Sequence, residues 1–515
     1  METMYAGSAA HAAALSEHYG RGGNPAKAAH YCVEAGVHAL GQGATDQAAA
    51  LLSQALTDDG RPHLTGLAAA RAYSGLIQAT MALGWMVPCI AAYERFVTEL
   101  EIPVPVDIAS GIKLVGQMAA RQVRGLGPTV QGERRAILRE LLQGARWVSE
   151  AYVWRAQPMQ SILAALLGAQ LAALLGEQAQ LSYFMAMFAY LAGLLPLRGV
   201  SQQLLDRGGR QLAASAGTRA EMDFRRVAGS RHLNAADWVQ AAREVDVLIA
   251  LSRQLGDEHS LIFGLGVRLI VSFRQGDEEG FHRFGREAYE RARRNQATQF
   301  ARVYPLYQGI AALRGGDVPT AARLLHEVAG YLGQSQDKLG MILLGGLGAL
   351  LKFQQGDVQG AIRGADETLA MVEANRFSLE TVGEGVSAIA EVYLGAWEVG
   401  DAAERSALEG ALRRALASLR RCARIFPGVV PRALLWHARY AWNHGAPHVA
   451  QRLAQIAEQR AAGLNMRFDV DLSRQWHGRF SAQTSTVNAV HAAQLAWAAL
   501  ADLGSLWQAR AARKR

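Results

Sequence analysis

Five times along this 515-residue chain a glycine closes an apolar-periodic stretch and an alanine follows five residues later, across a short polar step. The copies are Gly23 with Ala28, Gly43 with Ala48, Gly316 with Ala321, Gly356 with Ala361 and Gly445 with Ala450. Looser copies stand at Gly84, where Cys89 takes the place of the alanine, and at Gly276-Asp277 and Gly400-Asp401. Glycine can end a helix in the left-handed conformation, Asp or Asn can cap the next one, and a small residue lets the two helices lie close. From Gly276 to Gly316 and from Gly316 to Gly356 the step is 40 residues; the steps to Gly400 and Gly445 are 44 and 45. A helix–turn–helix unit repeating at that period cannot bury its apolar face alone and must stack on its neighbours. The prediction is an all-α solenoid of stacked antiparallel helix pairs, with turns at Gly23, Gly43, Gly276, Gly316, Gly356, Gly400 and Gly445.

Composition agrees. Aromatics are 7% of the chain, and Ala, Leu, Arg, Gln and Glu, all good helix formers, dominate it. In Ala411–Ala423, Leu412, Leu416, Leu419 and Ala423 recur with helical spacing, while Arg413, Arg420 and Arg424 form a separate stripe. No stretch alternates with period two. Breaks are expected at Glu101–Asp107, where Pro103 and Pro105 cannot sit inside a helix, at Gly125–Gly132, and at Gly463–Ser473. They divide the chain into an N-terminal helical block (1–102), central repeats (103–235), C-terminal repeats (236–464) and a terminal capping segment (465–515), with a last helix around Thr486–Ala511. Two strongly apolar segments, Ser161–Gly176 and Leu181–Leu195, are each shorter than the roughly 18–20 residues that cross a bilayer. They read as a buried helical hairpin, not a membrane span. Met1–Gly20 lacks the basic start and apolar core of a secretory signal. Cys32, Cys89 and Cys422 stand far apart, as expected of small buried residues in a reducing cytoplasm.

The Gly-Asp-x-x-x-Ala turn is the tetratricopeptide signature, here with helices longer than in a strict unit of about 34 residues. Leu15–Leu56 resembles the first tetratricopeptide units of large bacterial signalling proteins, in which a nucleotide cyclase or kinase domain precedes a STAND-type AAA ATPase and a helical-repeat tail. The matching residues are His18, Tyr19, Gly23, Asn24 and Ala28, then Ala35, Gly36, Ala39 and Leu40, then Ala48, Leu51, Leu52, Ala55 and Leu56. From Leu141 to about Leu332 the chain is similar to the middle of such tails, with the apolar hairpin, the Ala192–Gly199 turn and the later Gly-Asp units. In those proteins the cyclase and ATPase portions would precede residue 1, so the resemblance carries no catalytic residue onto this chain. It implies a tail that stands alone, or one that meets a cyclase, kinase or STAND ATPase in trans.

Residues that could carry chemistry do not assemble into a motif. None of the five lysines follows a phosphate-binding glycine run. Gly264-Leu265-Gly266, Gly346-Leu347-Gly348 and Gly383-Glu384-Gly385 imitate part of a dinucleotide fingerprint but lack its third glycine, and read as helix-packing sites. His11 with His18, and His437 with His444, share helix faces without a third ligand at metal spacing. The expectation is therefore a non-enzyme with no cofactor and no metal.

Two arginine clusters point to a partner surface. One holds Arg283, Arg286, Arg291, Arg293, Arg294 and Arg302; the other holds Arg413, Arg414, Arg420, Arg421 and Arg424. The plain reading is a solvated helix face. The functional one places an acidic protein or peptide on Arg286, Arg293, Arg294, Arg413, Arg420 and Arg424, since concave faces of helical arrays bind extended segments. The net charge of +8 permits nucleic acid, but no base-reading helix or aromatic–basic interleaving supports it. The tryptophans, among them Trp154, Trp238, Trp397, Trp436 and Trp442, read first as packing; a small-molecule pocket inside the superhelix is the alternative.

Overall fold

The computed structural model describes residues 11–102, 107, 109–110, 113, 131–195, 197–335 and 337–483, and among them there is helix and turn but no strand. The expected break at Pro103 and Pro105, most of the Gly125–Gly132 segment and the helix expected around Thr486–Ala511 lie outside the described residues. The first helices are α1 (Ala12–Arg21), α2 (Pro25–Gly41), α3 (Thr45–Ala55), α4 (Gly66–Leu83) and α5 (Met86–Glu99). Next come α6 (Gly132–Trp154), α7 (Pro158–Leu175), α8 (Gln178–Gly193), α9 (Arg198–Gln211) and α10 (Arg219–Asn234). They are followed by α11 (Trp238–Leu255), α12 (Glu258–Gln275), α13 (Glu278–Arg294), the one-turn α14 (Thr298–Ala301), α15 (Val303–Gly315) and α16 (Val318–Ser335). Then come α17 (Lys338–Gln354), α18 (Val358–Ala374), α19 (Val382–Val399), α20 (Ala402–Ile425), α21 (Val430–Asn443), α22 (Pro447–Gly463) and α23 (Arg467–Gln483). The chain is an all-α solenoid of stacked antiparallel helix pairs.

The turns are built from local chemistry. Gly23, Gly43, Gly276, Gly316, Gly356 and Gly445 have φ between 70° and 86°. Side chains of Asn24, Asp277, Asp317 and Asp357 accept backbone N–H bonds from Lys27, Gly280, Thr320 and Gly360. Ala48, Ala321, Ala361 and Ala450 are wholly buried where the paired helices meet. Gly400 departs from the expected left-handed form. It is extended (φ −74°, ψ 158°) because Asp401 and Glu404 close a capping box that starts α20 without a left-handed residue. A second regularity escapes a search for glycine. The left-handed residue recurs every 20 positions from Ala236 through Gly256, Gly276 and Gln296 to Gly316, so both turns of a unit share one geometry and two of them lack glycine. The soft spot expected over Gly463–Ser473 is a short turn centred on Asn465 (φ 52°), and α23 begins at Arg467.

One apolar core gathers residues from Ala29 to Ala228, and another runs from Met222 to Phe480 with Ala156 added. Helix α10 supplies both: Phe224, Val227 and Ala228 face the first core, Met222 and Leu233 the second. Helix α7 is long and apolar enough to cross a membrane, yet 56% of it is buried inside the protein, where it packs between α6 and α8. Each of the three glycine pairs lies at a close helix contact, Gly264 against Ile249 and Gly383 against Val429 among them. A Cβ on Gly346 would land on the Gly385 carbonyl, and one on Gly385 would sit 2.6 Å from the Leu343 Cα, so α17 and α19 cross backbone to backbone.

The array also closes on itself. Thr298 and Gln299 donate to the carbonyls of Leu83 and Met81, Ser378 to that of Val153, and the Trp238 indole to that of Leu464 (2.7–3.2 Å). These partners are 215–226 residues apart, which is the separation at which consecutive circuits of the superhelix touch.

Gly385→Ala should cost roughly 3 kcal/mol or more, because backbone rather than a flexible side chain blocks the methyl. Gly348→Ala, with nothing within 4 Å of the added carbon, should be neutral or stabilising by up to about 1 kcal/mol. Denaturant midpoints of the two variants check the contrast; equal effects would contradict the crossing.

Candidate functional site: a cavity between circuits of the superhelix

Where the circuits meet, the chain surrounds a cavity of about 140 Å³. Val153 and Trp154 of α6, Met187 and Tyr190 of α8, and Val227 and Leu233 of α10 form one wall. Phe263, Val267 and Ile270 of α12, and Val303, Leu306 and Tyr307 of α15, form another. Leu332 of α16, Leu339 and Leu343 of α17, and Leu379 complete the lining. The surface is mainly apolar and carries a small number of placed polar groups, the composition of a small-molecule site.

On the α6–α10 side, Arg226 forms a fork on Glu150 (2.9 and 2.7 Å), and Tyr183 donates to the same carboxylate at 2.8 Å. Behind this pair Arg146 bonds Asp223, and both guanidinium groups lie over the Trp147 ring, 4.1 and 5.0 Å from its centre. Burial works against the Arg226 charge, but Glu150 and Asp223 more than restore it, so its pKa stands above the ordinary value. Next to this cluster His259 is wedged edge-on between Trp147 and Phe300, with neither ring nitrogen hydrogen-bonded. Burial, then the Arg226 cation, push its pKa down to about 4.

On the opposite side Arg302 pairs with Asp337 and donates from Nε to the Gln299 carbonyl at 3.1 Å. Asp337 also caps α17 by accepting from the Leu339 and Gly340 amides. Arg302 Nη1 and the Tyr307 hydroxyl are buried without a hydrogen-bond partner. The segment before α19 forms the floor: Ser378 accepts on its carbonyl from Tyr190 and Asn234, and Asn234 accepts from the Glu380 amide.

A second buried ionic cluster lies beyond the floor. Arg274 bonds both Glu380 and Glu384, Arg314 bonds Glu384, and Arg432 bonds Asp469. Burial pushes the Glu380 carboxyl up although Arg274 opposes it; Glu384, held by Arg314 and Arg274, stays well below the carboxylate range despite its burial. Arg274 and Glu384 are 110 positions apart, about half the separation of the bonds between circuits.

The sequence-predicted arginines fall elsewhere. Arg286, Arg293 and Arg294 are exposed on α13, with Arg293 over the Tyr289 ring and Arg294 donating to the Glu290 carbonyl. On α20, Arg413 is exposed and bonds Glu409 and the Tyr440 hydroxyl, and Arg424 is exposed. Arg420 does not join them outside: it donates to Nε2 of buried His437, whose Nδ1–H donates to the Ala433 carbonyl. Arg302, grouped with the first cluster by sequence, is buried at the cavity, and Arg291 is held by Glu258 and Glu287. The tryptophans mostly pack: Trp397 stacks on His444, Trp442 on Phe480, and Trp436 donates to Ser387, whereas Trp154 lines the cavity. All three cysteines are buried thiols, Cys89 pushed up to about 12 by burial. Among the described residues no three His, Cys, Asp or Glu side chains gather as metal ligands would.

No family model matches this chain, and no curated protein matches it. Among solved structures it is similar to a Rap protein complexed with competence and sporulation factor, at TM-score 0.45 and 10% identity, over 67% of this chain and 98% of that one. It is also similar to a circular tandem repeat protein with novel repeat topology and enhanced subunit contact surfaces, at TM-score 0.15 and 16% identity, over 92% and 94%. Both likenesses are remote, and the fold assignment rests on the helices, turns and packing described above.

Two outcomes are expected of the buried charges. Arg274→Met leaves the buried Glu380 without its cation and takes one of two from Glu384, which keeps Arg314; it should cost about 3–5 kcal/mol, against less than about 1 kcal/mol for Arg253→Met at the exposed pair with Glu287, and chemical denaturation of both variants measures this. His259 has a folded pKa below its unfolded one, so its stabilising contribution is complete above about pH 6.5 and is lost as the pH falls toward 4. Denaturant midpoints between pH 8 and 4 should therefore decline less steeply in His259→Leu than in the unaltered protein, and parallel profiles would rule the assignment out.

Proposed function

We propose that this chain is a non-catalytic helical-repeat scaffold that binds a protein partner in bacterial signalling or regulation, in the cytoplasm. Its binding faces are the exposed surfaces of α13 and α20. The observation that carries this reading is the sorting of the arginines. Arg226, Arg274, Arg302, Arg314 and Arg432 are committed to internal carboxylates. Arg286, Arg293, Arg294, Arg413 and Arg424 project into solvent, where they can meet an acidic partner. A cyclase, kinase or STAND ATPase acting in trans fits the resemblance of the repeats. Nucleic acid is disfavoured because no base-reading helix accompanies the two arginine clusters.

A second reading is favoured by one specific feature, the cavity between circuits. A small effector held there would bias how the circuits pack and so regulate the partner-binding faces.

Affinity capture from the native bacterium tests the first reading, with the charge-reversal variants Arg286→Glu/Arg293→Glu/Arg294→Glu and Arg413→Glu/Arg424→Glu alongside. The expected result is a partner whose retention weakens with salt and drops at least tenfold in one variant that keeps its helical content and Tm. Retention equal in all three proteins would remove the arginine faces from the account.

A further inference from the structure

We propose that a second, smaller cleft, between α8, α9 and α10, binds a small oxyanion, a phosphate or carboxylate group, on Arg231. The site is separate from the arginine faces of α13 and α20, and the partner-binding reading neither supports it nor falls with it. The cleft measures about 40 Å³, room for roughly three water-sized groups and so for one anionic group. Tyr190 of α8, Arg198 and Ser201 of α9, and Arg231 and Asn234 of α10 line it, and Ile425 at the end of α20 closes it from the next circuit.

Charge singles this cleft out. Two arginines line it, and no Asp or Glu does. In the larger cavity, by contrast, Arg226 holds Glu150 and Arg302 holds Asp337. Arg231 is half-buried; its Nε donates to the Ser201 hydroxyl at 3.1 Å, and its Nη1 lies 3.2 Å from His232 Nδ1. Asp237 reaches that same His232 nitrogen at 3.3 Å, not the guanidinium. Among the described residues no carboxylate lies within ion-pair distance of Arg231, and its Nη2 bonds no protein atom yet is not sealed from solvent. Burial pushes its pKa below the ordinary arginine value, which Asp237 and Asp206 offset only from a distance. The neutral groups of the cleft are already engaged: Ser201 donates to the Ala189 carbonyl, and Tyr190 and Asn234 to that of Ser378. The open donor therefore belongs to a cation, and an oxyanion replaces solvent there with a charge-assisted bond, about twice as strong as a neutral one. A guanidinium has no acceptor, so a ligand offering only donors, or a second cation, gains nothing.

The test uses the full chain titrated with sodium phosphate and with sodium acetate, against sodium chloride at equal ionic strength, and follows Tm. Phosphate, acetate or both should raise Tm saturably above chloride; phosphate alone marks a phosphoryl ligand, acetate alone a carboxylate, and both an oxyanion of either kind. Arg231→Met should weaken that binding at least about tenfold. Arg253→Met, at an exposed arginine held by Glu287, should leave it unchanged. Arg231 has no carboxylate to strand, so Arg231→Met should keep its helical content by far-ultraviolet circular dichroism. Should that variant not fold, Arg231→Lys, which keeps the charge without the planar fork, carries the test and should also weaken binding. No saturable effect beyond chloride, or one that survives substitution of Arg231, overturns the proposal and leaves the arginine faces of α13 and α20 untouched.

Discussion

The packing of this protein depends on directional bonds between segments that lie far apart in sequence. Apolar faces of stacked helices can slide by a turn at modest cost, because Leu, Ala and Val surfaces resemble one another. A buried Arg274 that must satisfy Glu380 and Glu384 together cannot slide. Each buried ion left without its partner costs several kcal/mol, so the pairs act as registration pins. The same segment, residues 378–384, is tied on its other side to Val153, Tyr190 and Asn234. It therefore locks α6, α8 and α10 to α12 and α15 through a few atoms.

Much of the fold was legible from residues alone. Glycine–aspartate turns, buried alanines and helical periodicity are local properties, governed by caps and by the first turn of each helix. The turns at Ala236 and Gln296 were hidden because helix packing imposes the left-handed conformation there whatever the side chain. The Arg stripe on α20 was read as three outward residues, but His437 on α21 draws Arg420 inward. That bond is set by how two helices dock, which periodicity along one helix does not specify.

The cavity was least visible. Its lining comes from seven helices, a loop and the one-turn α14, spread from Glu150 to Thr381. One clue lay in the sequence: Glu384, Glu391 and Glu398 fall within the largely apolar α19, and buried carboxylates there demand cations. In the Gly383-Glu384-Gly385 fragment the glycines allow close helix packing and the glutamate anchors the buried cations. The winding brings residues 215–226 apart into contact, and buried ion pairs and the cavity lie where the circuits meet.

In an extended solenoid each repeat meets only its neighbours, and the ends can fray without consequence for the middle. Here α10 belongs to two cores at once, and the Trp238–Leu464 and Gln299–Met81 bonds fasten each circuit to the next. The helices between Met81 and Leu464 are held by those clasps, and once they part, the helices on both sides lose support together. Heat or mechanical load thus meets a single cooperative body, closer in behaviour to a sealed ring than to a spring.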